Sequence, residues 1–164
     1  MRGKIGAHIE NIAFHHTIFD LPFAYMGAFL AAQGWPGWGT LLWITLAITG
    51  ARSAALAIDN LVDLKYDKVH PRFTKRPMVT GAVTKGEALF LIALSFAVCL
   101  YAVAQLPPVC LQLLPLAALP FVVYPFMKRV TGLCHAVLGV AIAMAPAGGW
   151  MAAGGHIDPP MLLL

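Results

Sequence analysis

Five apolar runs, each close to the roughly 20 residues that a membrane-spanning helix requires, dominate the sequence. They cover about Phe14–Ala32, Thr40–Val62, Ala88–Leu106, Val109–Met127 and Leu133–Ala153, and a sixth begins at Pro159. Only 11% of the residues are charged and 60% are hydrophobic. A soluble domain carries about 25% charged residues. Such a chain predicts an all-α, polytopic transmembrane bundle of five complete helices plus the start of a sixth. The same composition excludes a nucleic-acid-binding module, a disulfide-rich secreted scaffold and a disordered segment. Cys99, Cys110 and Cys134 fall in or beside apolar runs without CxxC spacing, so they read as small packing residues rather than a disulfide or metal set. The first run starts late and lacks a cleavage site, so it does not read as a signal peptide.

The net charge of +4 records sidedness, not an anionic polymer as partner. Arg2 and Lys4 precede the first run. Lys65, Lys68, Arg72, Lys75, Arg76 and Lys85 lie in the second connection, and Lys128 and Arg129 in the fourth. The first, third and fifth connections hold no Lys or Arg, and the first carries Trp35 and Trp38. Ten of the eleven basic residues therefore fall on one side, and Arg52 lies inside a run. The positive-inside rule places the N-terminus and the loop 63–87 in the cytoplasm. Residues 1–164 read as one membrane domain.

Charges are expensive in such a chain, so their placement is informative. Asp59, Asp63 and Asp67 recur at spacings of four, which puts three carboxylates on one face at the end of the second helix. Arg52 lies two turns deeper on that face. Like charges at this spacing repel unless a cation neutralises them. Oxygen-only carboxylates that share a cation with phosphates suit Mg²⁺. The following stretch, His70 to Pro77, supplies guanidinium and ammonium groups that suit phosphate oxygens. Carboxylate for the metal and base for the phosphate together point to a pyrophosphate site. The blander reading is a solvated helix end with ordinary ion pairs to Lys65 or Lys68. Tyr124 to Arg129 alone would be a positive-inside anchor, but a bundled fold would bring it to the same mouth.

The stretch Ala51–Asp67, continuing to Pro71-Arg72, Arg76-Pro77 and Gly81, resembles the first aspartate-rich motif of the UbiA-type membrane prenyltransferases. Phe19–Phe23, with its Leu-Pro, and Tyr124–Thr131, running on to His135 and Leu138-Gly139, are similar to that family as well. The closest likeness is to bacterial 4-hydroxybenzoate polyprenyltransferases. The resemblance implies Mg²⁺-dependent transfer of a polyprenyl group from a polyprenyl diphosphate to an aromatic acid such as 4-hydroxybenzoate, in ubiquinone or menaquinone biosynthesis. It also implies residence in the bacterial inner membrane. By position, Asp63 and Asp67 would ligate the metal, and Asp59, standing where the family usually has Asn, is counted as a third metal ligand. Arg72, Arg76, Lys128 and Arg129 would contact the diphosphate, with Arg52 buttressing the aspartate face and counted among the diphosphate-binding residues. Asp63, Asp67 and Arg72 would carry catalysis.

Family members are about double this length and carry a second aspartate-rich motif that is absent from this sequence. The chain is therefore expected to be the N-terminal part of a longer enzyme. The contrasting expectation is a non-catalytic helical bundle or assembly partner that keeps the fold. A CDP-alcohol phosphotransferase would also use aspartates and Mg²⁺, but its Asp-Gly pair is missing upstream of Ala51-Arg52.

Overall fold

Thirty consecutive helical residues, α2, form the axis about which the chain is arranged. The computed structural model describes residues 6, 8, 14–69, 76–127, 132–157 and 159–162. Among them the helices are α1 (Phe14–Ala32), α2 (Trp38–Asp67), α3 (Lys85–Ala104), α4 (Pro108–Met127), α5 (Cys134–Ala152) and the short α6 (Pro159–Leu162), with no strand. These are the five helices and the beginning of a sixth that the apolar runs predict. The main difference is at α2, which continues five residues past Val62 and carries Asp63 and Asp67 within one unbroken helix.

Local chemistry accounts for the helix ends. Thr84 caps α3 with a full capping box: its hydroxyl accepts from the Glu87 N–H at 3.2 Å, and Glu87 Oε2 accepts from the Thr84 N–H at 2.9 Å. Pro108 opens α4 at the position where a missing N–H costs nothing. Pro115, Pro120 and Pro125 then fall inside the same helix. In water such prolines would break it, but neighbouring helices in a bilayer can re-satisfy the freed carbonyls.

Packing is inverted relative to a soluble protein. Ala24, Ala28, Ala57, Ala88 and Ala102 are fully buried, whereas Phe19, Phe90, Leu116 and Tyr101 are exposed. Small residues inside let backbones approach, and large apolar residues outside face lipid. The helices Trp38–Asp67, Lys85–Ala104 and Cys134–Ala152 are each long and apolar enough to cross a membrane. The described apolar parts of α1 and α4, Thr17–Ala32 and Pro108–Phe121, are shorter. Helix α2 contacts α1, α3, α4 and α5, and the most extensive pairings are α2 with α3 and α1 with α5.

The α1–α5 approach depends on two glycines. A Cβ on Gly149 would fall on the Ala24 carbonyl, and one on Gly27 would fall on the Pro146 carbonyl. Backbone cannot swing aside as a side chain can. Gly149→Ala is therefore expected to destabilise the bundle by about 1–3 kcal/mol, the usual range for overpacking. The check is a lowered unfolding midpoint in detergent, with no comparable change for Gly148→Ala, where a Cβ meets open space.

Candidate functional site

At about 1.5 Å per residue, the 30 residues of α2 span about 45 Å, against roughly 30 Å of bilayer hydrocarbon. Counted from Trp38, the first 20 residues fill that thickness and end near Ile58. Asp59, Asp63 and Asp67 then occupy the emerging turns. Asp59 and Asp63 are half-buried, and Asp67 is buried at 5% exposure.

Asp67 is covered by the segment that follows it. Met78 and Val83 are buried against Leu64 and Ala88, so the chain after residue 76 is anchored to α2 and α3 by apolar contact. The turn is closed by the Val79 and Thr80 N–H groups donating to the Arg76 carbonyl, at 2.9 and 3.0 Å. Gly81 lies at φ +78°, which favours glycine. This strap holds Arg76 over the helix end, where its Nη1 donates to Asp67 Oδ2 at 2.5 Å. A carboxylate and a guanidinium are thus brought together at the end of α2.

Among the described residues no three His, Cys, Asp or Glu side chains converge on a metal position. The carboxylates form a row along a helix rather than a closed cage. That donor set fits Mg²⁺, which is commonly held by one or two carboxylates with water and substrate phosphate completing its octahedron. Arg72, Lys128 and Arg129 lie outside the described residues.

Arg52 makes a contact that the sequence reading did not include. Its Nε lies 2.5 Å from Asp20 Oδ2 on α1, an ion pair with side chains 17% and 8% exposed. The missed signal was available: one lone acid and one lone base in neighbouring apolar helices must pair or be expelled. Tyr25 and Thr45 add a second polar link between these helices at 2.6 Å. The three cysteines are free thiols, as expected.

Beside the Asp20–Arg52 pair lies a cavity of about 140 Å³, whose other lining includes Ala51, Cys99, Phe121 and Ala141. It adjoins a larger one of about 270 Å³, and the two share Ala47, Ile48, Val103, Leu114 and Met144 on their walls. The larger cavity continues to Leu106, Cys110, Ile157 and Met161, at the end of the bundle away from the aspartates, and among the described residues no charged side chain lines it. The arrangement is a charged mouth above an apolar interior: carboxylates and Arg76 at the emerging end of α2, then the buried Asp20–Arg52 pair, then an apolar cavity.

Residues 21–164 match the UbiA prenyltransferase family. A 4-hydroxybenzoate octaprenyltransferase of Aliivibrio salmonicida is 33% identical over 136 residues, covering 83% of this chain and 48% of that protein. A solved UbiA homologue from Aeropyrum pernix K1, in its apo form, is 36% identical and superposes with a TM-score of 0.81, covering 91% of this chain and 55% of that one. A UbiA homologue from Archaeoglobus fulgidus, solved with GPP and Mg²⁺, shares the fold at a TM-score of 0.78 and 19% identity, over 93% of this chain and 56% of that one. The chain spans about half the length of these relatives.

Proposed function

Since the chain belongs to the UbiA prenyltransferase family, we propose that it transfers a polyprenyl group from a polyprenyl diphosphate to an aromatic acceptor such as 4-hydroxybenzoate, in a quinone-biosynthetic step. The observation that carries this reading is the carboxylate row with Arg76 at one end of the bundle and, beyond the Asp20–Arg52 pair, a cavity whose described lining is uncharged, an arrangement that suits an anionic head and a hydrocarbon tail. Asp63 and Asp67 would hold Mg²⁺, and Asp59 adds negative charge one turn deeper. The Mg²⁺ of the solved Archaeoglobus fulgidus homologue supports that choice of metal. Arg76, with Arg72, Lys128 and Arg129, would receive the diphosphate oxygens.

When bound, the metal would neutralise charge developing on the departing diphosphate. Everything else falls to the chain. Arg76 would turn from Asp67 to receive the diphosphate, Asp63 and Asp67 would hold the metal that keeps the head at the mouth, and the apolar walls would hold the tail in the cavity. The allylic C–O bond then breaks away from bulk water. The electron-rich ring forms the new C–C bond and gives up its ring proton to the departing diphosphate. Positive charge fixed in advance at the leaving group supplies much of the barrier reduction.

Ten of eleven basic residues on one side support a mouth facing the cytoplasm, with residues 1–164 as one membrane domain and 63–87 as its cytoplasmic basic loop. The bacterial relatives support the inner membrane as its location. Arg76→Ala is expected to weaken prenyl-diphosphate binding by about tenfold to a hundredfold, the equivalent of one charged hydrogen bond. Titration of the labelled diphosphate into nanodiscs holding each form measures it.

The transfer itself is tested by incubating the reconstituted chain with geranyl diphosphate, Mg²⁺ and a panel of phenolic acceptors. Prenylated ring and released diphosphate in equal amounts are expected. No product with any acceptor, beside a turning-over full-length relative, would contradict the proposal.

A further inference from the structure

We infer that Arg76 and the metal exchange at Asp67, so that Mg²⁺ and the prenyl diphosphate bind this chain together rather than independently. The inference rests on the metal and diphosphate roles proposed above and adds the coupling between them.

Asp67 is the last residue of α2, and its side chain is 7% exposed. The C-terminal end of a helix carries partial negative charge, and Asp63 lies one turn earlier on the same face. A carboxylate buried there needs a cation beside it, because an uncompensated buried charge is strongly unfavourable. In the structure that cation is Arg76, whose Nη1 donates to Asp67 Oδ2 at 2.5 Å. A metal ion arriving at Asp67 meets this positive charge, and the two repel strongly in a partly buried site. One cation has to give way to the other.

The strap permits that exchange. Its backbone is pinned, since Met78 and Val83 pack with Leu64 and Ala88, and the Val79 and Thr80 N–H groups donate to the Arg76 carbonyl. The Arg76 side chain is less enclosed, at 33% exposure against 7% for Asp67. Its long stem can carry the guanidinium off Asp67 while the turn beneath stays in place. A guanidinium released there is a strong receptor for phosphate oxygens. A diphosphate that accepts it also completes the octahedron of the metal. Metal alone sets two cations against each other, and diphosphate alone draws Arg76 away from a buried carboxylate. The two together replace the bridge on both sides. Binding free energies are reciprocal, so the metal tightens the donor by the same factor as the donor tightens the metal.

The experiment first reads Mn²⁺ binding to the chain in nanodiscs by electron paramagnetic resonance, with no diphosphate present. Arg76→Gln is expected to bind Mn²⁺ about tenfold more tightly than the native chain. Lys68→Gln removes an exposed charge adjacent to Asp67 in sequence and is expected to change the affinity by less than about threefold. Geranyl diphosphate is then titrated with and without Mn²⁺. The metal is expected to tighten it at least about a hundredfold in the native chain and less than about tenfold in Arg76→Gln. Unchanged or weaker metal-only binding in Arg76→Gln would overturn the inference. An equal gain in Lys68→Gln, or undiminished coupling in Arg76→Gln, would do the same. Arg76→Ala is measured in parallel, so misfolding of one variant leaves the other to decide. No acceptor is present in these titrations. Tighter metal binding in Arg76→Gln with no prenylated product from the native chain therefore counts against transfer alone. Unchanged metal binding beside an active native chain counts against the exchange alone.

Discussion

Asp67→Ala is expected to lower Mg²⁺-dependent prenyl transfer by about two to three orders of magnitude, equivalent to some 3–4 kcal/mol of transition-state stabilisation. Two effects combine. The substitution deletes a carboxylate at the mouth, and it strands Arg76, which donates to Asp67 Oδ2 at 2.5 Å. Asp67 is 5% exposed under a strap pinned by Met78 and Val83, so its orientation is fixed before any ligand arrives. Asp67→Asn separates the roles: it keeps the shape and a hydrogen bond to the strap but removes the metal-binding charge. Similar losses for the two variants, with helical circular dichroism unchanged, are the expected pattern. Recovery of activity in Asp67→Asn would assign the residue to positioning Arg76 instead. Asp63→Ala is expected to match Asp67→Ala.

The largest stability effect is expected at the Asp20–Arg52 pair. Removing one member leaves the other charge buried without its partner, which costs about 3–5 kcal/mol. Arg52→Met or Asp20→Leu alone is thus expected to unfold a large share of the protein in mild denaturing detergent. The double variant Asp20→Leu with Arg52→Met should return to near-native stability or exceed it, because apolar residues of similar volume commonly replace a buried pair at no cost. The cycle is read from unfolding midpoints of the four proteins. Additive losses in the double variant would show that the pair is not coupled, contrary to its 2.5 Å separation.

Length and apolarity alone revealed the helices because lipid imposes a single requirement, that every backbone group be paired within the segment. Even α4, with Pro115, Pro120 and Pro125 inside it, follows the apolar run and not the proline rule for soluble helices. The spacing of Asp59, Asp63 and Asp67 likewise placed them on one helix face, and α2 carries all three. Tertiary pairing was less legible. Arg52 was read along its own helix toward the aspartates, seven residues away, whereas its contact is across to α1. Helical periodicity orders residues within a helix and says nothing about which helix is its neighbour. The α1–α5 contact has the same character, since Gly27 and Gly149 mark close approach only once their opposing carbonyls are known. The strap was legible as a basic loop, yet the burial of Met78 and Val83 that aims Arg76 at Asp67 follows from packing.

The most direct test of the central claim is equilibrium binding of geranyl diphosphate to the chain in nanodiscs, with Mg²⁺ and then with excess EDTA. Metal-dependent binding that falls at least about a hundredfold on chelation, and by a similar factor in the Asp63→Ala/Asp67→Ala double variant, is the predicted result. Equal affinity with and without the metal, or undiminished metal-dependent binding after both aspartates are replaced, would contradict the account.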